Sequence, residues 1–115
     1  MNKLITSTRN AQHYTWGDQC DSWHLLRSDS LSVIQESMPP GTAEQLHYHE
    51  RAQQVFYILQ GTATFEVEGE TITVLQGQSI HIRPKSRHRI LNNSKAVIHF
   101  LVISEPKAHG DRVNV

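Results

Sequence analysis

His47-Tyr48-His49 places two imidazoles where they can share one ion. On a β-strand, residues i and i+2 project to the same side, about 6.6–6.8 Å apart along the chain. Both rings can then lean onto a cation at about 2.0–2.1 Å each, with Tyr48 turned away. An ion needs further ligands, and neighbouring strands can supply them from distant segments. The chain holds eight histidines. His81 alternates against Ile80 and Ile82 and is expected to face outward. His13, His24, His99 and His109 have no partner at ligand spacing and read as ordinary residues.

The elements that must position these rings are short strands. Gly61, Gly69 and Gly77 recur every eight residues, with segments rich in β-branched and aromatic residues around them. That spacing predicts an all-β sandwich or barrel. The expected strands are Leu31–Met38, Leu46–His49, Gln54–Leu59, Thr62–Glu68, Thr71–Leu75, Ser79–Ile82, His88–Leu91 and Ala96–Ile103, with Trp23–Leu26 as a short earlier one. Alternation is clearest where Ala63, Phe65 and Val67 share one face against Thr62, Thr64 and Glu66. Val97–Ile103 is apolar on both faces apart from His99, as in a strand covered on two sides. Trp16, Cys20 and Trp23 are expected to pack an N-terminal segment across the barrel. The tail after Pro106 is polar and expected to be irregular.

Composition narrows the function classes. With 115 residues the chain is expected to form one domain, residues 1–115. Within it the barrel core covers about 31–103, flanked by an N-terminal packing segment, 1–30, and a short C-terminal tail, 104–115. Eleven Lys+Arg balance eleven Asp+Glu, so nothing attracts nucleic acid or an anionic membrane surface. No apolar run is long enough to span a bilayer. Cys20 is the single cysteine, which excludes an internal disulfide and a multi-cysteine zinc site. The start, Met1 to Thr6, has no apolar core of a secretory signal, and the expected compartment is the cytoplasm.

The spacing around the histidines is more specific than composition. From Gly41 the chain runs five residues to His47, one to His49, four to Gln54 and six to Gly61. Later it runs from Gly77 five residues to Arg83, one to Lys85, two to His88 and three to Asn92. This resembles the two signature motifs of the cupin family. One comprises a glycine, two histidines, a glutamate and a glycine, and the other a glycine, a proline, a glycine, a histidine and an asparagine. Gln54 departs from the first at its glutamate. Arg83 and Lys85 stand where proline and glycine are usual, with Pro84 between them.

The resemblance implies an antiparallel jelly-roll β-barrel with one divalent transition metal inside, held by His47, His49 and His88 with Gln54 at the fourth position. Zn, Ni, Fe, Mn and Cu are all candidates. It also implies a homodimer and a small-molecule substrate. Family activities include dioxygenases (oxidoreductases), isomerases, epimerases and lyases, and some members only bind sugars or metabolites. Dioxygenase-type chemistry is the common case. A neutral amide in place of a carboxylate leaves the ion its full dipositive charge, so binding is weaker and bound water more acidic. That speaks mildly for Lewis-acid isomerisation or hydrolysis and against an iron redox cycle, while the resemblance keeps dioxygenase-type chemistry the preferred expectation. The alternative is a non-catalytic sugar or metabolite binding module. A transcription regulator would need an appended DNA-binding unit, for which the chain has no room.

Glu36 shares a strand face with Ile34 and Met38. If that face points inward, its carboxylate enters the barrel as a general base or an extra ligand. The other placement, with Val33, Gln35 and Ser37 inside and Glu36 in solvent, is preferred. Phe56 and Ile58 share the parity of Gln54, and with Met38 and Phe100 they are the candidate apolar wall of a pocket. Arg83, Lys85, Arg87 and Arg89 form either a funnel for an anion or, as preferred, a solvated face.

Overall fold

The computed structural model describes residues 2–115, so Met1 of the polar start lies outside the described residues. Eleven strands form: β1 (Gln12–Trp16), β2 (Cys20–Arg27), β3 (Ser32–Met38), β4 (His47–His49), β5 (Gln53–Gln60) and β6 (Ala63–Val67). They continue as β7 (Glu70–Val74), β8 (Ser79–Ile82), β9 (His88–Leu91), β10 (Ile98–Glu105) and β11 (Arg112–Asn114). There is no helix among the described residues, and none therefore long and apolar enough to cross a membrane.

All pairing is antiparallel. One sheet runs β1-β2-β3-β10-β5-β8 and the other β11-β4-β9-β6-β7. Two facing sheets make the jelly roll, and they are not hydrogen-bonded into one closed barrel. Their edges stay open because β1 and β8, like β11 and β7, end their sheets without a partner strand. The core lies between the sheets and is built by alternation. Phe56 and Ile58 point inward from β5, Phe65 from β6, Ile90 from β9 and Phe100 from β10, and each is 2% exposed or less. The Phe56 and Phe65 rings meet edge to face at 5.0 Å.

Turn chemistry sets the register. Glu68 (φ 49°) and Gly69 (φ 80°) close the β6–β7 hairpin with both central residues left-handed. This turn matches the right-handed twist of the flanking strands. Lys85 also adopts a positive φ, 67°, at the position where the family motif carries glycine, and its N–H donates to His49 O. Asn92 is fully buried. Its side-chain amide donates to Met38 O and Ala96 O, both at 2.8 Å, and its backbone carbonyl accepts from Gly41 N–H at 2.8 Å. The first glycine of one motif is thus stitched to the last asparagine of the other.

Three expectations change. The tail is not wholly irregular: Arg112–Asn114 forms β11 against β4, because β4 has an open edge for it. The N-terminal segment adds two strands to the larger sheet, not one short one. The strand Val97–Ile103 starts at Ile98 and is central, flanked by β3 and β5. Its inward residues are buried, while Leu101 and Ile103 are only half-buried outside.

Gly61 has φ +89°, and a Cβ there would lie 2.9 Å from Ile98 Cγ2. Gly61→Ala is expected to destabilise the protein by about 3 kcal/mol, the sum of left-handed strain and a core clash. Gly69→Ala, with open space around it, should cost only about 1 kcal/mol. Urea denaturation of the two variants checks the difference; equal losses would remove the clash from the account.

Candidate metal centre

Register brings the histidines together. β4 and β9 pair so that His47 lies directly opposite His88. Cross-strand partners share a face, and the two ring centroids stand 4.4 Å apart. His49, two residues along the same face, lies 5.1 Å from His47 and 5.9 Å from His88. One ligand atom from each of the three lies within 4.8 Å of the others. All three residues are 5% exposed or less. β5 supplies Gln54 from the opposite sheet, 6% exposed.

Backbone carbonyls fix two of the tautomers. His47 Nδ1–H donates to Gln45 O and His88 Nδ1–H to Ser86 O, each at 2.8 Å. A neutral imidazole carrying its proton on Nδ1 turns an unprotonated Nε2 to the common point. Burial, above all, keeps the rings neutral. It pulls His47 down to about 3 and His49 to about 4, and it lowers His88 as well. His49 Nδ1 is buried with no hydrogen-bond partner.

Gln54 stands beside the three histidines. Its Nε2 donates to Ser104 Oγ at 3.0 Å, which turns Oε1 toward His88 Nε2 at 3.2 Å. In that orientation two lone pairs face each other. A cation at the common point would turn this repulsion into shared ligation. The donor set therefore suits a borderline divalent ion of the Zn, Cu, Ni or Fe type.

His47, His49 and Gln54 line a cavity of about 210 Å³, whereas His88 is not among its lining residues. Glu36 lines it, so the solvated placement preferred from sequence is corrected. Alternation fails on β3 after Ile34: Glu36 is half-buried, and Ser37 and Met38 are both buried. Ser22 Oγ donates to Glu36 Oε2, and Trp16 Nε1–H donates to Ser22 Oγ at 2.8 Å. Burial, the largest influence, pushes the Glu36 carboxyl up to about 8. Of the four apolar candidates, Phe56 lines the cavity. Ile58, Met38 and Phe100 sit fully buried in the core beneath it. Arg83, Lys85 and Arg87 are exposed, and Arg89 is held by Glu66 through two hydrogen bonds at 2.6 and 3.1 Å.

Glu44, Arg112, Tyr14 and His109 also line the cavity, and sequence reasoning missed them. Glu44 Oε2 lies 3.5 Å from Arg112 Nη1. Its Oε1 is buried without a hydrogen-bond partner, 3.8 Å from His47 Nδ1. Burial raises Glu44 to about 7 despite Arg112. Glu44 had one available signal, its place three residues before His47. A three-residue strand such as β11 gives Arg112 no period to find.

Residues 34–104, more than half of the chain, match the family described as cupin domain. An uncharacterised protein of Methanocaldococcus jannaschii is 31% identical over 83 residues, covering 72% of this chain and 66% of that protein's own length. An oxalate-binding protein of Thermotoga maritima is 29% identical over 85 residues, 70% of each chain. Among solved structures, a predicted oxalate decarboxylase from Thermotoga maritima superposes with a TM-score of 0.80 at 20% identity, over 90% of this chain and 99% of that one.

Buried groups of opposite kinds set the pH dependence of the metal-free protein. The three imidazoles stay neutral when folded but protonate near 6.5 when unfolded. Their stabilisation is therefore complete above that value and lost as the pH falls below it. Glu36 and Glu44 stay protonated to about 8 and about 7 when folded but ionise near 4.5 when unfolded. Their stabilisation is present below 4.5 and lost as the pH rises through that window. Stability should peak at about pH 6 and decline on both sides. Urea midpoints from pH 4 to 9 in chelator check this; a steady rise to pH 9 would contradict it.

Proposed function

Because this chain belongs to the cupin domain family, we propose that it is a metalloenzyme performing Lewis-acid chemistry on a small oxygen-rich metabolite. One divalent ion would be held by His47, His49, His88 and Gln54. The observation that carries the reading is that three uncharged imidazoles converge, two of them, His47 and His49, lining a cavity that Glu36 also lines. When bound, the ion would polarise a substrate carbonyl or hydroxyl. Glu36 is then the group that takes a proton from carbon or oxygen and returns it, as an isomerisation requires. Its raised proton affinity suits transfer near neutral pH, and Ser22 and Trp16 hold it in place. Arg112 and Tyr14 are positioned to orient substrate oxygens, and Phe56 keeps that wall apolar.

A second reading is favoured by one finding, the 29% identity to an oxalate-binding protein. On that reading the cavity holds a small dicarboxylate without turnover. The neutral ligand set would leave the ion's two positive charges to balance, which suits a dianion.

A second copy of the chain is the proposed partner, with no role for nucleic acid. Tyr57 and Leu59 of β5, 39% and 38% exposed, stand beside half-buried Leu101 and Ile103 of β10 on the outer face of the larger sheet. Leu101→Glu should convert a dimer to a monomer by light scattering. A wild-type monomer at micromolar concentration sinks that assignment.

Metal analysis by mass spectrometry should give about one equivalent for the wild type and almost none for His47→Ala. Gln54→Glu should tighten binding by at least about tenfold, because a charged oxygen replaces a neutral one. Incubation of the metal-loaded protein with aldoses, 2-oxo acids and diketones in D2O separates the two readings. Enzyme chemistry predicts deuterium at carbon beside a carbonyl, lost in Glu36→Gln with metal retained. No exchange with any of them, alongside saturable oxalate binding, would overturn the enzyme reading in favour of the binding module.

A further inference from the structure

A second pocket of about 280 Å³ lies between the turn joining β2 to β3 and the segment that follows β10. His24, Arg27, Ser32 and Lys107 line it together with Asp29. His109 lines both this pocket and the metal cavity, so the two share a wall. The His109 ring stands 5.4 Å from that of His24.

The inner side chains of the pocket are unsatisfied. Ser32 Oγ and His24 Nδ1 are buried with no hydrogen-bond partner, in residues only 2% and 8% exposed. Buried polar groups in native proteins are normally paired, so two orphans beside one pocket point to a ligand. The charge there is mainly cationic. Lys107 Nζ holds Asp29 at 2.8 Å. Arg27 spends Nη1 on Gln12 at 2.8 Å and keeps its other N–H groups. After burial, Arg27 is the next influence holding both His24 and His109 down, which records the positive field.

We propose that this pocket binds the phosphate group of a phosphate monoester. A guanidinium, an ammonium, a hydroxyl and an imidazole arrive from two separate segments of chain, which suits a tetrahedral dianion better than a planar carboxylate. The rest of the ligand reaches past His109 to the metal cavity. That second half of the proposal rests on the function proposed above; the phosphate pocket itself does not.

The test has three arms. In the first, inorganic phosphate is titrated into metal-free protein and followed by NMR. Saturable shifts at His24 and Ser32 are expected, weakened by about tenfold in Arg27→Ala and in Ser32→Ala. In the second, zinc-loaded protein is titrated with glycolate, and in the third with 2-phosphoglycolate. The phosphate ester should bind at least about tenfold tighter than glycolate, and Arg27→Ala should erase that gain while leaving glycolate unchanged. Absence of phosphate shifts, indifference to Arg27→Ala, or acetate binding as well as phosphate overturns the pocket. Phosphate binding with no gain for the ester overturns the shared ligand. Failure of glycolate alone counts against the metal reading and leaves the pocket standing.

Discussion

Three imidazoles can share one buried point only while all remain unprotonated, because like charges at that spacing cannot be sustained away from water. The rest of the architecture serves this constraint. The direct pairing of His47 with His88 sets two rings side by side. Backbone carbonyls of Gln45 and Ser86 fix where their protons sit. The Gly41–Asn92 hydrogen bond joins the segments leading into β4 and out of β9. A slip of one residue between those strands would turn His88 to the other face and dissolve the cluster.

The ligand set carries no charge of its own, and the acids stand one layer away. Glu44 is tied to Arg112, and Glu36 sits at the end of a part-buried line from Trp16 through Ser22. Trp16 and Ser22 belong to β1 and β2, and Arg112 to β11, all outside residues 34–104 that match the family. His47, His49, Gln54 and His88 all lie within the matched residues, as do Glu36 and Glu44. The side chains that hold or face those acids, Trp16, Ser22 and Arg112, come from the flanking strands.

The sequence displayed the parts of this structure that are local and periodic. The strands from β3 to β10 lie within a few residues of their expected limits, because turn glycines and alternation announce each one. The ligand histidines were legible through their spacing from Gly41, Gly61 and Gly77. Glu36 was ambiguous because β3 loses its alternation after Ile34, and two buried residues in succession, Ser37 and Met38, defeat a parity argument. Tyr14, His109 and Arg112 were invisible for a different reason. Arg112 reaches the cavity through a pairing with His49, dozens of residues away, Tyr14 through the β1–β2 pairing and His109 from the segment after β10, and nothing in their own neighbourhoods marks them.

Gln54 bears on how the histidine cluster fares with and without a cation. A carboxylate among three imidazoles has one good state, with a cation beside it. An amide has two, because rotating its end by half a turn exchanges oxygen for nitrogen. With oxygen inward it can coordinate. With nitrogen inward it donates to His88 Nε2, while the Ser104 hydroxyl, 3.0 Å away, turns to donate to the displaced oxygen. Without a cation, that half-turn would leave His88 capped and not stranded. The fold would then stand without an ion, and any occupancy would follow the supply of metal around it.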